Sequence, residues 1–142
     1  MKRTAVLSAA AAVVIIGGGV LAGTAALASG SSHTLHLTTS RLQFVNTPKS
    51  TFVETDAVSR AGKKVGYETI SCNAGGSQVL CSLSFALAGG MLLGHLTIPI
   101  TSGESTSVSG KVTGGLGIFA GDRGTIKGSI IGKRSVFTVK YH

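Results

Sequence analysis

The chain has no tryptophan, only two prolines and two cysteines, and just five acidic residues among its 142. Each shortage excludes something. Without tryptophan, and with no aromatic side chains interleaved among its basic residues, it lacks the stacking platforms that hold single-stranded nucleic acid, so no nucleic acid partner is expected. No Gly-Lys-Ser/Thr is present to close a phosphate loop, and no Gly-x-Ser-x-Gly elbow to present a hydrolase serine. Two cysteines with no histidine close by make a poor metal site, so neither a metal nor a cofactor is expected. No helical period of useful length appears either.

The acidic shortage leaves the chain at +8. Lys2 and Arg3 open a stretch that then runs without a charge from Thr4 to Ser32, with Ala26-Leu27-Ala28 as a small-residue cleavage site. This predicts a secretory signal peptide over residues 1–28, cut before Ser29, and a secreted protein. An uncleaved membrane anchor is the rival, disfavoured by Gly17-Gly18-Gly19 and the many alanines, which make the stretch weakly hydrophobic. No cysteine follows for a lipid anchor. Residues 29–142 suffice for one domain. They keep eleven Lys and Arg against five acids, a net charge near +6 that suits an anionic polymer or lipid surface. Yet Lys63-Lys64 and Lys133-Arg134 each adjoin a glycine at a predicted turn, where charge is usually just solvated.

What the chain does have is short alternating runs cut by Gly, Ser, Asn and Pro. The clearest strand is residues 79–87, where Cys81, Leu83, Phe85 and Leu87 share one face. Its predicted partner spans 65–72, and six more strands are predicted over 34–45, 51–59, 91–101, 105–113, 123–131 and 134–141. If Gly76-Ser77 is the hairpin loop, Cys72 faces Cys81 in a non-hydrogen-bonded pair, close enough for a disulfide. A metal site and a reactive thiol are the alternatives. Eight strands with short loops fit a closed barrel able to hold one small ligand, and fit a sandwich as well.

Between the last predicted strands lies Val112-Thr-Gly-Gly-Leu-Gly-Ile-Phe-Ala-Gly-Asp-Arg-Gly-Thr125. Gly115-x-Gly117-x-x-Ala120 satisfies a dinucleotide fingerprint in letters alone, since Gly121 and Gly124 break the helix that fingerprint needs. The block resembles the V-x-G-G-T-G-x-F/Y-x-x-A-R-G signature of dirigent proteins and allene oxide cyclases. Leu116 and Asp122 stand where that signature has Thr and Ala, and Ile118 where some plant dirigent proteins carry an acid. The order Phe52-Val-Glu-Thr-Asp56, Gly62-Lys-Lys-Val-Gly66, Cys72 and Cys81 is similar to bacterial relatives of these cyclases, so the likeness spans most of residues 35–139. The resemblance implies an antiparallel eight-stranded barrel, homo-oligomers, and an apolar or phenolic ligand whose cyclisation or coupling is steered.

Glu54 and Asp56 are two apart in a strand and project from one face, a potential proton donor and base if that face is inward. Asp56 also aligns with an aspartate of the dirigent pattern. In the disulfide register Glu68 opposes Phe85 and shares a face with Ile70, a costly setting for a carboxylate unless it is paired, protonated or used. Arg123 is the cation expected to partner these acids, or else an arginine that pins the glycine loop through backbone carbonyls. Glu54, Asp56 and Arg123 are thus the catalytic candidates, with Glu68, Phe85 and His95 as ligand contacts. His95 shares a face with Met91 and Leu93, whereas His33 and His36 point to opposite faces and cannot jointly bind a metal. A non-catalytic module attached through its basic surface to a cell-wall polymer or partner protein is the competing reading.

Overall fold

The computed structural model describes residues 30–100 and 103–142. The expected signal peptide, its cleavage site and the membrane-anchor alternative lie outside those residues. Eight strands follow in order: β1 His33–Thr47, β2 Thr51–Arg60, β3 Lys63–Gly75, β4 Gln78–Leu87, β5 Gly90–Pro99, β6 Ser105–Gly117, β7 Gly124–Ile131 and β8 Arg134–Tyr141. Each pairs antiparallel with its neighbour and β8 returns to β1, so the sheet closes into a barrel, and the sandwich is ruled out.

Period-two alternation sets the inside. Leu35 and Leu37 on β1, Val58 on β2, Phe85 on β4, Leu92 and Leu96 on β5, Ile126 on β7 and Val139 on β8 are all buried, while the residues between them face out. Gly76 and Ser77 form the hairpin loop and Cys72 pairs with Cys81, the two joined in a disulfide buried inside the barrel. Such bonds persist in oxidising compartments.

The two ends of the barrel differ. At one, the segment 118–123 between β6 and β7 folds inward and Phe119 is buried as a plug, edge-on to Tyr141. The glycine block allows this. A Cβ on Gly115 would lie 2.4 Å from the Phe119 carbonyl oxygen, and Gly117 turns the chain with φ +65°, where an L side chain is strained. Leu116 and Ile118 are left exposed. At the other end, where β1 meets β2 and β7 meets β8, alternation is broken by a bulge. Arg41 pairs with Asp56 but Gln43 with Thr55, so Leu42 is the extra residue. The bulge changes the parity of β1, and both Arg41 and Phe44 reach the interior on that side.

The disulfide closes a loop of only about ten residues, worth about 2–3 kcal/mol in the chain-entropy model. The double variant Cys72→Ala/Cys81→Ala should lose about that much in urea unfolding and keep a β-type circular dichroism spectrum. No change in the midpoint would show that the sheet alone fixes the register.

Candidate functional site

From Val58, Leu92 and Leu35 to the Phe119 plug the barrel interior is filled, but towards the end bearing the β1–β2 and β7–β8 turns it opens into a cavity of about 270 Å3. This is near the lower bound, roughly 300 Å3, of small-molecule sites. Its apolar wall comes from seven strands: Phe44, Phe52, Ile70, Val79, Ile98, Ile130 and Phe137. All but Phe44, which the bulge turns inward, continue the alternation that buries the core; Ile70 and Phe137 are buried at the base of the wall, and the others stay partly exposed towards the mouth.

The polar wall is made by β1, β2 and β3. Asp56 lies between Arg41 on one side and Glu68 on the other in the strand registers. Glu54, one inward position nearer the mouth, takes the arginine instead: Arg41 Nε donates to Glu54 Oε1 at 2.6 Å and Nη2 to Oε2 at 2.8 Å. A two-pronged pair of this kind fixes both side chains. The Phe44 ring lies 5.0 Å from the guanidinium carbon and stacks obliquely on Phe52, which completes a rigid rim.

Asp56 and Glu68 are left deeper in the wall, 3% and 2% exposed, beside the fully buried Thr39. Thr39 Oγ1, Asp56 Oδ1 and Glu68 Oε1 are buried and lack a hydrogen-bond partner among the described residues. Burial pushes the Glu68 carboxyl up to about 8, and the charges of Asp56 and Glu54 add to the rise, while the neighbouring Thr39 hydroxyl opposes it. Burial likewise raises Asp56 to about 6, against the pull of Thr39 and Arg41 and with a push from Glu54. Burial raises both of these adjacent carboxyls, and the charge of Asp56 further disfavours ionisation of Glu68, an arrangement that favours retention of a proton by the pair.

Three of the six expected side chains, Glu54, Asp56 and Glu68, line this cavity. Phe85 does not; it is buried behind the wall, edge-on to Phe137, whose ring does line it. Arg123 lies at the plugged end, exposed, where Nη1 donates to the carbonyl of Asp122 at 2.8 Å. It pins the glycine loop and is far from the acids, whose cation is Arg41. His95 points outward, its Nδ1 3.3 Å from Ser82 Oγ, because on β5 it is Leu92, Gly94 and Leu96 that face in. Arg41 and Thr39 had a visible signal, since both continue the odd-numbered stripe of Leu35 and Leu37.

Because the folded values are raised above those of the free side chains, the native state holds protons that the unfolded chain has released. Stability from this source is full below about pH 4.5 and falls as pH rises to about 8. Glu68→Gln should remove most of that decline, stabilising the protein at pH 8 by an amount on the order of a few kcal/mol, and should matter little at pH 4. Urea titrations of both proteins across this range would show it, and parallel pH profiles would contradict it.

No family model matches the chain, and no curated protein matches it. A solved structure described as a pyocyanin demethylase superposes with a TM-score of 0.65, over 78% of this chain and 100% of that one, at 21% sequence identity. At that identity the likeness is one of fold: this chain shares the demethylase's β-barrel.

Proposed function

We propose that residues 29–142 are exported as a single-domain barrel of the dirigent and allene oxide cyclase type. The barrel takes an apolar or phenolic small molecule into its open end and steers that molecule's cyclisation or coupling. The observation that carries this reading is the placement of two buried carboxyls, Asp56 and Glu68, side by side on one wall of a largely apolar cavity, where burial raises the pKa of both. Asp56 takes a proton from the bound molecule as Glu68 delivers one elsewhere on it, so the net charge of the pair is unchanged and exchange with water at the mouth restores the starting state. The aromatic and aliphatic wall limits the conformers that react and keeps bulk water away. That a demethylase uses a similar barrel supports a small molecule as the guest.

Titration with small phenols and neutral aromatic compounds should shift the methyl resonances of Ile70, Val79, Ile98 and Ile130 and leave those of Leu35 and Val139 in place. Ile98→Trp, which fills the cavity, should abolish the response. Shifts confined to the outer surface would overturn the proposal.

A second reading, attachment to an anionic polymer, is favoured by where the charges lie. All three carboxylates carried by the described strands face the cavity, whereas ten lysines and arginines are exposed. Lys111 on β6 and Lys140 on β8 flank Thr125 of β7 in register, about 10 Å apart across two strand spacings, with Lys127 two residues along the middle strand. Hydroxyls of Ser109, Thr113, Thr125 and Thr138 fill the gaps. Retention on a polyphosphate or polygalacturonate matrix at low salt should fall steeply above physiological ionic strength. The triple variant with Lys111, Lys127 and Lys140 changed to Gln should lose it while still taking up cavity ligands. Salt-independent retention would count against this reading.

A further inference from the structure

The cavity has more buried carboxyl than its own cations can match. Glu54, Asp56 and Glu68 line it, and Arg41 is the single cationic side chain among its lining residues. Both of the guanidinium nitrogens that reach a carboxylate are spent on Glu54. Asp56 Oδ1 and Glu68 Oε1 remain buried without a hydrogen-bond partner among the described residues, and the neutral Thr39 hydroxyl beside the pair brings no positive charge. Among the described residues no other charged or titratable group lines the cavity: β4, β5, β7 and β8 contribute Val79, Ile98, Ile130, Ser135 and Phe137, and β6 contributes Thr106. An unpartnered buried carboxylate is costly, and a positive centre placed against it removes that cost.

We propose that the cavity is built for an organic cation, a flat aromatic molecule whose positively charged nitrogen seats against Asp56 and Glu68 while its rings lie on Phe52 and Phe137. This rests on the reading that the cavity is the ligand site, and departs from that reading in giving the aromatic guest a positive charge. A metal ion is not the occupant that fits, because among the described residues no group of three His, Cys, Asp or Glu side chains is placed to hold one. The size agrees, since 270 Å3 admits two fused rings but not a large amphiphile. Arg41 does not repel the guest, because its charge is cancelled by Glu54 on the rim. The guest is also coupled to protons. A fixed positive charge beside Glu68 favours its ionised form, so binding near neutral pH expels a proton to solvent.

N-methylquinolinium and 1-methylnaphthalene have nearly the same shape and differ in charge, and 1-naphthoate reverses the charge. Titration calorimetry at pH 8, repeated at pH 6 and in two buffers of different ionisation enthalpy, should rank the cation first by tenfold or more. Its affinity should rise by about tenfold from pH 6 to pH 8, with proton release on binding. Asp56→Asn and Glu68→Gln each remove a buried charge and should fold, and each should weaken the pH dependence and narrow the preference. Equal binding of the cation and the neutral probe, or preference for naphthoate, overturns the inference and leaves the cavity as a ligand site. Failure of all three probes to shift the methyls of Ile70 and Ile130 sinks both.

Discussion

Two carboxyl groups that face each other across β2 and β3 inside a closed barrel are the constraint on which the proposed chemistry depends. Antiparallel pairing places Asp56 and Glu68 side by side, and the alternation that buries Val58 and Ile70 leaves them no route to the outside. Burial then decides their ionisation. Repulsion between neighbours and the loss of water together make it cheaper to keep one proton in the pair than to release it. A largely apolar barrel thereby holds two adjacent carboxyls with no histidine among the cavity's lining residues.

The rest of the structure supports that arrangement by treating its two ends differently. Gly115 and Gly117 give room for Phe119 to turn in and seal one end, so the core is packed there and the strands are held in register. The disulfide ties β3 to β4 directly beside the wall that carries Glu68. At the other end a single inserted residue, Leu42, allows Arg41 and Phe44 both to reach the mouth. Arg41 clasps Glu54 there, which holds the third carboxylate at the rim and away from the deeper pair.

Much of the fold can be read from residues alone, because it rests on local rules. The Gly76-Ser77 loop sets the β3–β4 register, and that register in turn puts Glu68 opposite Phe85. The glycine block signals a tight closure, which is where Phe119 turns in. The site is less legible, for three identifiable reasons. A bulge is invisible to a period-two count, so the entry of Phe44, on the opposite parity from Arg41, is hidden. Strand β5 is apolar on both faces over Met91-Leu92-Leu93, and the outward direction of His95 is fixed only by Gly94 and Leu96 facing in. Arg123 sits near the acids in no sense that sequence distance reveals, since it belongs to the opposite end of the barrel. Phe85 is inside, as its strand predicts, but in the filled half.

The account turns on whether the pair retains a proton at neutral pH. Selective carbon-13 labelling of the Asp and Glu side-chain carboxyls, followed by NMR titration from pH 3 to 10, reads this directly. The account predicts Glu68 titrating near pH 8 and Asp56 near pH 6, with each curve displaced when the other residue is changed to its amide. Two independent titrations near pH 4, as for carboxyls in water, would contradict it.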